Sequence, residues 1–423
     1  MKIQSFIVLF ICFSILGCRE EKEIPITKLV NPKIEAVAGD TIPRIFTPYG
    51  NLHISPEFYD HKFSALTHSY HKIKDTSALP CVRFTPTTRL PQPQENIFPV
   101  HFSSAFTREQ MEVGYYKVVL NNGTQIEASL SKHCGMHSYQ FPQGGAYGII
   151  LNLCTPGQAD STQQTVIQKI SNRTIQGYHA SNNNSPENRI YFYIEFSQDI
   201  KILNTDSAKE VAINTETSLK CHRAWIDFGT TTNKIFAKIS LSDQSIAEAR
   251  NYLQTEIPHW SFDKVNRDAK LQWKKLLSHV KIKSNDTTAL QNFYSALYHA
   301  YPVLFLHFDI KENYKNSDGE PQDIYNYLQK HTKKATEHVL SSIGLIPMKE
   351  YTNQYQLSKP QFSRIILKLE QDRRFTIKTN NNNDTDTPSI MLNGRPLQRT
   401  WITRSEITQG GSLEFILTNE QEK

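Results

Sequence analysis

Side chains that can hold a metal, move a proton or stack on a ligand are present in this 423-residue chain, but few stand in a usable pattern. His133, Cys134 and His137 lie close together and are of metal-ligating type. An extended strand sends alternate side chains to opposite faces, so this segment reads as core and surface positions rather than one ligand set. Asp309, Glu312 and Asp318 carry the oxygens a hard cation needs. They lack a defined ligand loop, and a solvated charged turn accounts for them. Trp225, Trp260, Trp273 and Trp401 are able to stack on sugar rings, yet aromatic side chains usually carry core area, and buried packing is the preferred reading. There is no serine–histidine–acid order and no phosphate-cradling glycine loop. No CxxC or Cys/His metal spacing exists, so zinc is not expected.

One cysteine has a chemistry of its own. Lys2 precedes an apolar run, Phe6 to Leu16, too short to span a bilayer. The run ends Ile15-Leu16-Gly17-Cys18, which looks like a bacterial lipobox with Cys18 as the lipidation site. Arg19-Glu20-Glu21-Lys22-Glu23 then reads as the start of a charged tether over 19–30, and its acidic pair resembles the surface-export signal of Bacteroidetes lipoproteins. An exported protein anchored in the outer membrane or at the cell surface is expected. Cys81, Cys134, Cys154 and Cys221 would then pair as disulfides or be buried as thiols; the spacing does not choose. The net charge of +6 is spread without a basic run, which argues against nucleic acid. Neither a second transmembrane run nor an internal repeat is present.

The elements that must position these residues are mostly strands. Tyr115 to Leu120 runs into Asn121-Asn122-Gly123, a hairpin turn, and Gln125 to Lys132 returns with alternating apolar positions. Tyr147–Leu153 and Ile190–Phe196 are further strands, and Asn182–Pro186 reads as a loop. Many strands between Gly, Pro and Asn turns predict a β-sandwich. Near residue 242 the period becomes helical. Ser245 caps a helix carrying Ile246, Ala249 and Leu253, and Phe262 to Leu276 and Phe293 to Tyr301 make two further apolar stripes. A fourth helix fits Pro321 to Ile343, stopped by Gly344 and Pro347. Strands return around a Gln371-Asp372 turn, with Asn380–Asp386 as a polar loop, Asn393-Gly394 as another turn and Leu413–Leu417 as a last strand. The fold class is mainly β with a small helical insert: a sandwich over 31–241, linker helices over 242–285, a helical segment over 286–346 and a small β region over 347–423.

Four stretches carry a family resemblance. Val30-Asn31-Pro32, Thr47-Pro48-Tyr49-Gly50 and Ser55-Pro56 open it; Gly114-Tyr115-Tyr116 and Gly135 through Pro142 follow. Glu256–Val265 with Phe293–His299 is the third, and Leu392–Leu397, Thr400-Trp401 and Gly410–Phe415 the fourth. In this order they resemble glycoside hydrolase family 92, calcium-dependent α-mannosidases that act with inversion. The resemblance implies a sandwich docked on an (α/α)6 barrel. A barrel of twelve helices needs roughly 200 residues, and Leu290 to Gly344 offers about 55. Inversion needs an acid on one side of the sugar and a base on the other, about 6.5–9.5 Å apart. The family's motif for the acid has no counterpart here, nor does its "WDT" sugar-binding motif. Counting back from Val339–Gly344, the base positions fall on Gln329 and Lys330. The family's paired histidines near Phe63-Ser64-Ala65-Leu66-Thr67 are also missing in that register.

The sequence therefore predicts a truncated relative with no catalytic or metal residue to name, no cofactor and the calcium site lost. Binding a mannose-containing glycan or assisting glycan degradation is the expected role. The alternatives are a residual α-mannosidase with a rebuilt or partner-supplied site, and a functionless remnant. Phe293, Leu297, Leu328, Val339 and Ile343 are expected on a helix pair joined by the Asp309–Glu320 turn. That pair should be incompletely covered, leaving an apolar strip for a partner or a second copy.

Overall fold

The computed structural model describes residues 24–34, 43–71, 79–89, 102–153, 164–180, 189–205, 216–220, 223–230, 233–310, 332–348, 353–379 and 389–416. Two antiparallel sheets, of six and nine strands, make the N-terminal half. The longer sheet contains the predicted hairpin, Tyr115–Leu120 paired with Gln125–Leu130, followed by Cys134–Gln140. Gly123 supplies its left-handed residue, with φ +85°; Asn121 and Asn122 do not. Inward-facing Phe84, Tyr116, Ile126, Tyr139, Ile149, Phe192 and Ile239 fill the space between the sheets and are all but inaccessible. Alternation thus sorts one strand onto two cores, as its period of two requires: Tyr139 points into the sandwich, while Cys134 and Met136 point to the helices behind it.

The first described element, α1 (Ile26–Leu29), lies at the end of the stretch 19–30 read as a tether, and there the chain is packed onto the protein; residues 19–23 lie outside the described residues. Leu29 and Val30 are buried, and Lys28 pairs with Glu112. The helices α2 (Ile246–Glu256) and α3 (Phe262–Leu277) follow the sandwich. Ser245 and Ser261 cap them by accepting from the amides of Glu248 and Lys264, the usual satisfaction of first-turn donors. Next come α4 (Thr287–His299), α5 (Val303–Phe308) and α6 (Lys333–Ser342).

The helical segment differs from expectation in two respects. Thr332 is the non-helical residue before α6, with φ −138° and ψ 21°, so no continuous helix runs from Pro321 to Ile343; residues 321–331 otherwise lie outside the described residues. The expected apolar strip is also not exposed. Phe293, Leu297, Val339 and Ile343 are each at most 1% accessible; Leu328 is not described. α4 and α6 pack on each other and on the C-terminal strands. Phe293 meets Phe362 edge to face at 5.7 Å, and Tyr294 donates to the Val280 carbonyl at 2.8 Å. At roughly 1.5–3 kcal/mol per large side chain, that burial removes the reason to recruit a partner there.

The C-terminal β region is a six-stranded sheet beside a three-stranded one. Its edge strand, Val280–Lys283, comes from the stretch read as linker helices and pairs with Arg364–Lys368. Arg374–Thr379 pairs on the other side of Arg364–Lys368, and Gly411–Ile416 pairs in parallel beyond it. α7 (Arg404–Thr408) closes the region with a capping box between Thr403 and Glu406.

Candidate functional site

Sandwich and helices meet at an aromatic junction. Trp273 of α3 donates its indole N–H to the Phe46 carbonyl at 2.7 Å. Its ring lies 5.2 Å from Phe46, 4.4 Å from Tyr298 and 5.8 Å from Tyr301. Tyr298 donates to the Arg44 carbonyl, and His53 stacks between Phe46 and His71. Burial, with His71 and then Arg44 adding to it, keeps His53 neutral. The groups that meet here are ring carbons, imidazoles and a guanidinium. Among the described residues named here, none is a carboxylate that could protonate a leaving oxygen or activate water.

His133, Cys134 and His137 are separated: alternation parts Cys134 from His137, and His133 lies just before the strand. His137 lies between the sheets against His68, Nε2 to Nε2 at 2.8 Å. Tyr139 hydroxyl lies 2.7 Å from His137 Nδ1, and His68 Nδ1 lies 2.9 Å from the Val82 carbonyl. One proton arrangement satisfies all three contacts. Tyr139 donates to His137, His137 donates to His68, and His68 donates to Val82, with both rings neutral. Burial lowers the pKa of His68 to about 4 and that of His137 well below its ordinary value. This is a buried structural relay. His68, its other half, was not singled out in the sequence, since only the fold brings residues so far apart together.

His133 faces outward to the end of α2. Its Nδ1 is 2.5 Å from Glu256, whose other oxygen accepts from Ser131 at 2.6 Å and from the His133 amide at 3.0 Å. Because Ser131 bonds the carboxylate rather than the imidazole, this is a tie between hairpin and helix, not a nucleophile and its base. Cys134 is a buried free thiol, its pKa raised by burial. Cys18, Cys154, Cys221 and the side chain of Cys81 lie outside the description.

The tryptophans follow the packing reading in the main. Trp225 and Trp273 are buried. Trp260 is exposed, but the Lys238 ammonium lies 4.2 Å from its ring centre, and Arg399 lies as close over Trp401. Asp309 ends α5 in the left-handed region and lies 3.6 Å from Arg404; Glu312, Asp318, Gln329 and Lys330 are not described. Among the described residues, no three His, Cys, Asp or Glu side chains are grouped to hold a metal ion.

A cleft of about 440 Å³ opens between the C-terminal end of α3 and the turn joining Arg364–Lys368 to Arg374–Thr379. One wall is Lys275, Ser278 and His279. The other is Lys368 through Arg374, including the carboxylates Glu370 and Asp372. Gln371 and Asp372 both have positive φ, 59° and 57°. They lie in the three-residue connection Glu370–Asp372, closed by the Leu369 amide donating to the Arg373 carbonyl, in backbone that Asn and Gly adopt most readily. The predicted turn is therefore present, and it projects both acids from one side. The volume lies within the range of about 300–1,000 Å³ usual for small-ligand sites.

Comparison with known proteins gives this arrangement of sandwich, helices and terminal β region a family. Residues 29–242 match the glycosyl hydrolase family 92 N-terminal domain. Residues 248–333 and 334–419 match the glycosyl hydrolase family 92 catalytic domain in two segments. The chain belongs to glycosyl hydrolase family 92. A family GH92 inverting mannosidase from Bacteroides thetaiotaomicron superposes with TM-score 0.74 at 12% identity, covering 94% of this chain and 97% of that one. A family GH92 alpha-mannosidase from the same organism gives 0.73 at 13% identity, covering 93% and 94%. At such identities the likeness is one of fold. An uncharacterized secreted glycosidase of Arthroderma benhamiae is 26% identical over 212 residues, which is 44% of this chain and 27% of that protein's length.

Proposed function

We propose that this family 92 member is an exported, surface-tethered protein that binds glycan in the cleft beside the Gln371-Asp372 turn and does not hydrolyse it. One observation carries the reading. The cleft's two carboxylates, Glu370 and Asp372, come from a single turn, and the facing wall is Lys275, Ser278 and His279. An inverting glycosidase needs its acid and base on opposite faces of the sugar. Two acids on one wall grip hydroxyls but cannot attack from behind. The tether is a lipid on Cys18, directly after the small residue Gly17.

The test is affinity electrophoresis of the full chain in gels containing neutral α-mannan, with α-1,2-mannobiose turnover measured alongside in the presence of calcium. Retardation by mannan that is lost in Asp372→Asn, with no mannose release, is the expected result. Mannose release above a buffer blank would instead establish the residual α-mannosidase. Labelled palmitate taken up by the wild type and not by Cys18→Ala tests the anchor.

A further inference from the structure

The outer face of the C-terminal six-stranded sheet carries a concentration of positive charge. Lys281 and Lys283 project from its edge strand, Arg364 and Lys368 from the next, Arg374 and Lys378 from the third. Residues paired across strands share a face, and the register places all six on the same one. Five are exposed and Lys368 is half-buried. Their apolar neighbours Ile365, Leu367, Phe375 and Ile377 point the other way, into the core. Among the described strand residues of this face, Glu414 is the one acid, 2.8 Å from Lys378.

The register also sets like charges against each other. Lys283 stands opposite Arg364, Arg364 opposite Lys378, and Lys368 opposite Arg374. Direct like-charge pairs destabilise a sheet. Lysines on an edge strand have an ordinary role in blocking edge-to-edge association, but that covers only Lys281 and Lys283. Arg364, Lys368, Arg374 and Lys378 lie on interior strands, where no edge needs protection.

The cations form two rows across the strands. Lys283, Arg364 and Lys378 make one. Lys368 and Arg374 make the other, about 13 Å away along the strands, and it leads into the cleft with Lys275 and Arg373. Ile366, Thr376 and Ser412 form a neutral floor between the rows, with Lys281 at its end. A flat lipid surface would not use a concave cleft, whereas a polymer lying across the strands uses both rows and the cleft. A sugar ring is about as long as the spacing between neighbouring strands, about 4.8 Å. Arginine's planar fork suits a carboxylate bidentately.

We propose that this face, together with the cleft, binds an acidic polysaccharide whose charges are sugar carboxylates. The sugar part of this inference rests on the glycan-binding reading above; the acidic part rests on the two cationic rows.

The experiment uses the full chain and polygalacturonate as the probe, with neutral α-mannan, dextran sulfate and phosphatidylglycerol vesicles as separate arms. Polygalacturonate should bind at least tenfold more tightly than mannan at low salt. The preference should shrink at about 0.15 M salt, where the Debye length is about 8 Å. Arg364→Gln with Lys378→Gln lies outside the cleft; it should weaken polygalacturonate binding at least tenfold and leave mannan retardation unchanged. Glu414→Gln removes the face's acid and should tighten binding, a gain that misfolding would not produce. Equal affinity for polygalacturonate and mannan, or no effect of these variants, overturns the proposal and leaves the mannan result to judge the glycan reading on its own. Binding to dextran sulfate or to the vesicles without polygalacturonate binding overturns it as well, by assigning the face to sulfate or to lipid.

Discussion

The sandwich and the C-terminal sheet are built on the same alternation, and they put their titratable groups in opposite places. In the sandwich several imidazoles are withdrawn from water, His68 and His137 between the sheets and His53 at the junction with the helices. His53, His68, His137 and His179 are buried, and burial is the first cause of every lowered pKa among them. In the C-terminal sheet one face is packed under α4, and the other holds lysines and arginines in water. The same period of two thus makes an interior of neutral imidazoles in one region and a charged plate in the other. Polar groups of the first kind serve packing, since a buried group must be satisfied. Those of the second, apart from the Lys378–Glu414 pair, are turned to water, and some oppose one another.

Acid should break the first region and spare the second. Histidines with depressed folded-state pKa values contribute stability that is fully present above the unfolded value, near 6.5. It is lost as pH falls from there towards about 4, where His68 and His179 titrate. The unfolded chain binds more protons in that window, so stability falls with pH. A shift of that size is worth about 3 kcal/mol at most for one fully buried histidine. Urea midpoints measured from pH 7 to pH 4 should drop steeply. His68→Gln should flatten the slope; an unchanged slope would show that the relay does not titrate in this range.

Next in size is the junction that holds the two regions to the helices. Trp273→Ala removes a buried ring in contact with Phe46, Tyr298 and Tyr301 and orphans the Phe46 carbonyl. A loss of about 3–5 kcal/mol is expected in equilibrium denaturation. Trp401→Ala, on a ring only half-buried under Arg399, should cost much less. Equal losses would mean that exposure does not separate the two tryptophans.

These contrasts mark what the sequence could and could not convey. Ser245 before an apolar helical stripe, and Asn393-Gly394 between strands, are local signals, and local geometry obeys them: Asn393 and Gly394 have φ of 51° and 76°. The Gln371-Asp372 turn was readable from its flanking strands. The cationic face was not. Its six charges are spread singly from Lys281 to Lys378, with no two adjacent in sequence, so a net charge of +6 over 423 residues looked dilute. Only pairing the edge strand with residues more than eighty positions later collects them. That strand was hidden because Val280–Lys283 is four residues long and directly follows a helix. The buried strip on α4 and α6 was misjudged for a related reason. A helix stripe announces that it must be covered, but not that Phe362 and its neighbours will do it.

The turn offers a mid-sized test of the charged region. Gln371 and Asp372 occupy left-handed backbone, which costs a side-chain-bearing residue about 1–2 kcal/mol. Gln371→Asn with Asp372→Gly supplies the residues this turn prefers and should stabilise the protein by about 1–2 kcal/mol, read as a higher urea midpoint. The same variant removes one cleft carboxylate, so mannan retardation should fall while stability rises. Both moving the same way would place Asp372 among residues that matter to folding rather than to ligand.

The smallest expected effect is the most specific to the comparison. Arg364 faces Lys283 on one side and Lys378 on the other, and its exposed guanidinium lies on the face where Glu414 pairs with Lys378. Arg364→Gln relieves two like-charge pairs while keeping that ion pair, for a gain of a few tenths to about 1 kcal/mol. The gain should depend on salt. In dilute buffer the repulsion is felt in full; at 1 M salt the Debye length is about 3 Å and exposed charges barely interact. Wild-type stability should therefore rise with sodium chloride by the amount the substitution gives without it, and the two proteins should converge. If they differ equally at both ionic strengths, the gain is one of strand propensity or packing, and the face carries no electrostatic strain for an anionic partner to relieve.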